Sequence, residues 1–126
     1  MMVPPVVGYD LDGVVVRDPS RIERATLYRW QRWVSWRQLH RRVRWRPEPG
    51  ACVITGRPAC DRETTLAWAQ RVQLGVPVFF VGRAELPVLG KARIINRLRL
   101  QVYVESDRDQ AEQLRQLCPQ TKVVEV

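Results

Sequence analysis

The feature that most constrains this chain is a set of five short apolar runs, each separated from the next by an interval long enough to hold a helix. They are Pro5 to Leu11 (PVVGYDL), Ala51 to Thr55 (ACVIT), Val76 to Val81 (VPVFFV), Gln101 to Glu105 (QVYVE) and Lys122 to Val126 (KVVEV). Runs of this length, rich in Val, Ile and Phe, read as strands, and nearly continuous hydrophobicity marks strands covered on both faces of a parallel sheet. Parallel neighbours need crossover connections, which are right-handed almost without exception. The expected fold is α/β: a three-layer α/β/α sandwich around a five-stranded parallel sheet.

The intervals carry readable helix ends. Asp61 can cap a helix running to about Leu74, with Gly75 placed to end it. Lys91 to Leu100 reads as a shorter helix after Pro87 and Gly90, and Asp107 or Asp109 opens another that Pro119 stops near Cys118. At 126 residues, with no repeat, linker or low-complexity tract, residues 1–126 are expected to form one domain around one core. No apolar run approaches the ~20 residues of a membrane helix. Met1 to Pro5 is too short and uncharged for a signal peptide, so a cytoplasmic protein with no membrane partner is expected. Cys52, Cys60 and Cys118, odd in number and irregular in spacing, suit neither a disulfide framework nor a zinc site and are expected as reduced thiols.

The net charge of +8 is local. Ten of the 21 basic residues lie between Arg17 and Arg46, against only Asp18 and Glu23, and the rest of the chain is neutral. Within it, residues 20–46 form a Trp-rich helical segment in which Leu27, Trp30, Trp33, Trp36 and Leu39 recur every three residues. On an α-helix such a stripe slips backwards and winds around the rod, so it cannot lie against one flat sheet along its whole length. Three roles stay open for it: a crossover helix with solvated Arg side chains, an interface between copies of the chain forming a homo-oligomer, or a nucleic-acid surface with Arg on phosphates and Trp on bases.

Four polar groups follow strand ends. Asp10 and Asp12 close the first strand, and period-two geometry would project both carboxylates from one side at the carboxyl edge of the sheet, where ligands bind in open α/β folds. Paired carboxylates repel unless a divalent cation or a shared proton offsets the cost. Gly13 lets the backbone turn closely around that point. Thr55-Gly56-Arg57 brings a hydroxyl and backbone N–H groups to the same edge, donors that suit phosphate oxygens. Lys91, expected at a helix start, opposes the helix dipole there and is more useful in an anion site than as a structural residue. Glu105, Asp107 and Asp109 follow the fourth strand, where they can hold a metal or cap the next helix.

In this order and on these elements, the four groups resemble the motifs of the haloacid dehalogenase (HAD) superfamily, in its phosphatase branch. The first motif, DxDG[VT], stands here as Asp10-Leu11-Asp12-Gly13-Val14, the second as Thr55 in Ile54-Thr55-Gly56-Arg57, and the third as Lys91; the fourth falls among Glu105, Asp107 and Asp109. The resemblance spans nearly the whole chain and implies a Rossmann-like, HAD-type sheet. It implies a Mg²⁺-dependent phosphomonoester hydrolase in which Asp10 is the nucleophile, forming an aspartyl-phosphate, and Asp12 the general acid and base. Thr55, Gly56 and Lys91 would bind the phosphoryl group, and Mg²⁺ would bind Asp10, the backbone carbonyl of Asp12 and a fourth-motif acid. The family commonly has DD or GDxxxD there, whereas this chain has ESD followed by RD; by position Glu105 comes first, Asp107 second and Asp109 third. The intervals leave no room for a large cap, which suits a macromolecular phosphate or a nucleotide or other small phosphorylated metabolite covered by a neighbouring subunit. The alternative is a catalytically weak HAD-like protein that binds nucleic acid or another partner through segment 17–46.

Overall fold

The computed structural model describes residues 4–17, 42–57, 59–81 and 86–126. The expectations for the winding stripe from Leu27 to Leu39, as helix, subunit interface or nucleic-acid surface, lie outside the described residues, as does the side chain of Cys60. The chain forms a three-layer α/β/α fold. Its sheet contains β1 (Val7–Asp10), β2 (Cys52–Thr55), β3 (Val78–Phe80), β4 (Val102–Glu105) and β5 (Lys122–Glu125), all parallel in the order β3-β2-β1-β4-β5. The described helices are α1 (Arg62–Arg71), entered through a 3-10 turn at Ala59–Asp61, α2 (Pro87–Leu98) and α3 (Arg108–Leu117).

Strand alternation divides the core in two. Cys52, Ile54, Tyr103 and Val123 face one side, where Val88, Ala92 and Ile95 of α2 and Ala111 and Leu114 of α3 cover them. Tyr9, Val53 and Val104 face the other, against the fully buried Trp68 of α1 and the turn residues Val14 to Val16. Central β1 and β2 are buried nearly throughout, as continuous apolar runs require, whereas β3 is only half-buried because it is an edge strand. Among the described residues no helix is long and apolar enough to cross a membrane. Cys52 and Cys118 are buried free thiols, and burial pushes the Cys52 thiol up to about 11.

Three local expectations are corrected. Helix α2 begins four residues earlier than its expected start, at Pro87, which opens the helix as its first residue instead of standing before it. Lys91 therefore lies one turn inside α2 and not at its N-terminus, so the dipole argument does not place it. Asp61 stands at the α1 N-cap but makes no side-chain cap hydrogen bond, because a 3-10 turn leads into the helix. β1 ends at Asp10, so period-two geometry no longer governs Asp12; a turn with Gly13 at φ +91° takes over, closed by hydrogen bonds from the Val15 and Val16 N–H groups to the Leu11 carbonyl.

Gly90 sits inside α2 because that helix presses against the end of β3. A Cβ at position 90 would lie 2.7 Å from Val81 Cβ and 2.9 Å from its Cγ1. Gly90→Ala is expected to lower stability by about 1–3 kcal/mol, the usual cost of overpacking. A shift of the urea midpoint checks this, and Val81→Ala should not restore it, because the nearest atom is Val81 Cβ itself.

Candidate active site

The chain runs from β1 outward through β2 to β3, then crosses back to β4 and on to β5. Adjacent strands β1 and β4 thus lead away in opposite directions, and their carboxyl ends form the crevice where ligands bind in open α/β sheets. Tyr9 pairs with Val104, so Asp10 and Glu105, the next residues along each strand, end side by side. Strand alternation turns both toward the face covered by α2 and α3.

Lys91 drops into this crevice from α2. Its ammonium donates to Glu105 Oε1 at 2.8 Å, to Gln110 Oε1 of α3 at 3.0 Å and to Asp10 Oδ1 at 3.2 Å, and its side chain is only 3% exposed. Three elements of the fold therefore meet at one buried cation. Burial alone would push the Lys91 ammonium down, but the charges of Asp10 and Glu105 outweigh it and hold the group above its ordinary value. Asp10 moves well above the usual carboxylate range: burial raises its proton affinity, Lys91 opposes, and neighbouring Glu105, which draws on the same lysine, raises it further. Two carboxylates share one ammonium, and that leaves a net demand for positive charge.

Asp12 belongs to a second cation. Arg57 grips its carboxylate with both arms, Nε to Oδ2 at 2.9 Å and a terminal nitrogen to Oδ1 at 2.8 Å. The other terminal nitrogen donates to Thr65 Oγ1 at 2.9 Å, which anchors the guanidinium to α1. Thr55 is buried at the end of β2, where its hydroxyl oxygen accepts from the Arg57 N–H at 3.1 Å. Gly56 lies against the first turn of α2: a Cβ there would sit 3.1 Å from Pro87 Cβ and 3.9 Å from Lys91 Cε. The Thr55-Gly56 turn and Lys91 are thus neighbours.

The fourth-strand acids divide their roles. Glu105 is fully buried; Oε1 accepts from Lys91, while Oε2 accepts from the N–H groups of Ser106 at 3.0 Å and Asp107 at 3.2 Å. Asp107 caps α3 by accepting from the Gln110 N–H at 2.8 Å, and Asp109 is exposed in the first turn of that helix. Among the described residues no group of three or more His, Cys, Asp or Glu side chains could hold a metal ion. Three contributors were not singled out from the sequence: the Arg57 guanidinium, Gln110 and Ser106. Of these only Arg57 carried a signal, a cation two residues beyond a strand end opposite the Asp pair.

No family model and no curated protein matches the sequence. Solved structures do share the fold. A chain in the structure of the Pnkp1/Rnl/Hen1 RNA repair complex aligns with a TM-score of 0.61 at 16% identity, over 98% of this chain and 42% of that one. A chain in a further structure of the Pnkp1/Rnl/Hen1 complex aligns with a TM-score of 0.62 at 15% identity, over 98% and 46% respectively. The protein spans less than half the length of these chains, and at such identity the likeness is one of fold.

Lys91→Met removes the cation that, among the described residues, pairs with both buried carboxylates, and breaking such an arrangement costs about 3–5 kcal/mol. Without Lys91, which opposes the rise, the buried Asp10 carboxyl should hold its proton still more tightly in the folded state than unfolded, so the folded state gains a proton as pH falls and the deficit shrinks. Urea unfolding at pH 7.5 and pH ~5 checks this: the stability gap between variant and wild type should be larger at the higher pH.

Proposed function

We propose that the protein is a Mg²⁺-dependent phosphomonoester hydrolase of the HAD type, working through an aspartyl-phosphate on Asp10. The observation that carries this reading is the Lys91 ammonium joining Asp10 at the end of β1 to Glu105 at the end of β4, at the switch point of the sheet. Asp10 attacks phosphorus as the ester P–O bond breaks, and Asp12 delivers a proton to the departing oxygen. Asp12 then takes a proton from water, which attacks the aspartyl-phosphate, releasing phosphate and regenerating the Asp10 carboxylate. Arg57 holds Asp12 in place for both transfers. Thr55, Gly56 and Lys91 bind the phosphoryl oxygens, so catalysis is mainly positioning and charge stabilisation.

The residues fit Mg²⁺ at this edge: Asp10 Oδ2 and the carbonyl oxygen of Asp12 are hard donors that converge on one point, the Ser106 hydroxyl. Bound there, Mg²⁺ would offset the repulsion between Asp10 and a phosphate dianion. The substrate class is a nucleotide or another small phosphorylated metabolite. Because the structural neighbours come from an RNA repair complex, the phosphorylated end of an RNA strand belongs in the same test.

The test is a phosphate-release screen of nucleotides, sugar phosphates and end-phosphorylated RNA with added Mg²⁺. Wild type is expected to release phosphate and Asp10→Asn to fall to background; equal release by both would refute the reading. Arg57→Leu is expected to lower kcat by roughly 100-fold, the cost of misplacing a catalytic group by about an ångström, while KM changes little. Steady-state kinetics on the best substrate checks that split.

A further inference from the structure

Every donor of the Lys91 ammonium has a protein partner. Its three N–H groups go to Glu105 Oε1 at 2.8 Å, Gln110 Oε1 at 3.0 Å and Asp10 Oδ1 at 3.2 Å, and an ammonium has no fourth to offer. A phosphoryl oxygen can therefore take a hydrogen bond from this nitrogen only by displacing one of the three acceptors.

The two carboxylates are held by charge and burial. Glu105 is fully buried and Asp10 is 6% exposed, and taking the cation from either would leave a buried charge without its ion pair, a strongly destabilising change. Asp10 Oδ1 also accepts from the Leu11 N–H at 3.0 Å, which fixes that oxygen from a second side. Gln110 differs on each count. It is neutral and half-buried, in the first turn of α3 at the carboxyl edge of the sheet. Its amide must turn the oxygen to Lys91, because an ammonium only donates. That bond joins a charge to a dipole, where the other two join charge to charge. Once released, a half-buried amide can turn to water, which satisfies its oxygen and its nitrogen alike.

We propose that Gln110 holds the place of a phosphoryl oxygen on Lys91: an incoming phosphate takes the third N–H from Gln110, while Glu105 and Asp10 keep theirs. The inference rests on the phosphatase reading for Lys91 as a phosphate-binding group. Gln110 is then a positioning residue that acts through Lys91. It keeps the third N–H of a buried cation satisfied and sets how tightly the site takes phosphate, since bound phosphate and Gln110 compete for the same hydrogen.

The test measures binding of inorganic phosphate to the full chain by titration calorimetry, with Mg²⁺ and without an ester substrate, so that it reads affinity and not turnover. Circular dichroism confirms that each variant is folded. Gln110→Glu is expected to weaken phosphate binding about tenfold or more, because a carboxylate on Lys91 is a stronger rival and repels the dianion. Gln110→Met keeps the length of the side chain and removes the amide oxygen. It is expected to tighten binding about threefold, because phosphate then displaces only water from Lys91. A side chain that merely propped Lys91 in place would give the opposite sign in Gln110→Met. Unchanged or weaker binding in Gln110→Met, wild-type affinity in Gln110→Glu, or no binding of phosphate by wild type would overturn the proposal. The two readings fail separately. Phosphate release in the substrate screen without these opposed shifts leaves the hydrolase standing and removes the exchange at Gln110, and the opposed shifts without phosphate release do the reverse.

Discussion

A buried ammonium held between two buried carboxylates sets the terms for the rest of this structure. Lys91 can sit at 3% exposure only because Asp10 and Glu105 are both within hydrogen-bond reach, and they can be buried at the sheet's edge only because Lys91 is there. The arrangement demands that β1 and β4 be neighbours in register, that α2 approach closely enough for the side chain to reach, and that α3 begin where Gln110 can take the third donor. Gly56 and Gly90 meet the second demand by leaving no Cβ between α2 and the ends of β2 and β3. Charge pairing of this kind is costly to assemble and more costly to break, which makes it a constraint on geometry more than a source of stability.

The two N-terminal aspartates are separated by the company they keep. Asp10 is buried on Lys91 and beside Glu105, while Asp12 is more open and gripped by the planar fork of Arg57. Carboxylates placed two residues apart in sequence thus acquire different surroundings, the condition for giving them different jobs in acid–base chemistry. Arg57 ties that division to α1 through Thr65, so one guanidinium links the turn after β1, the turn after β2 and the helix that follows.

Much of the frame was legible because strand formation here is local and repetitive. Five apolar runs separated by helix-length intervals leave a parallel sheet as the economical solution, and all five appear, trimmed by one to three residues at the ends. The start of α2 is not legible in the same way, because a proline can stand before a helix or open it: at the first helical position its missing N–H costs nothing. Of the two grounds for Lys91, the motif order and the helix dipole, the structure does not support the second; what places the ammonium is its closeness to Asp10, which the sequence separation of 81 residues conceals. Serine between two acids gives no outward sign of bridging an aspartate and a backbone carbonyl, and Gln110 reads as an ordinary helix residue.

Sequence by itself determined the layered architecture, the five strands and the polar groups that end them, since hydrophobic periodicity and turn chemistry act over a few residues. Tertiary structure alone decided which cation pairs with which carboxylate: Lys91 with Asp10 and Glu105, Arg57 with Asp12. The reason is physical. Pairing depends on which strand ends the crossovers bring together and on how closely α2 packs, and ångström-scale distances between residues far apart in the chain leave no trace in local sequence pattern.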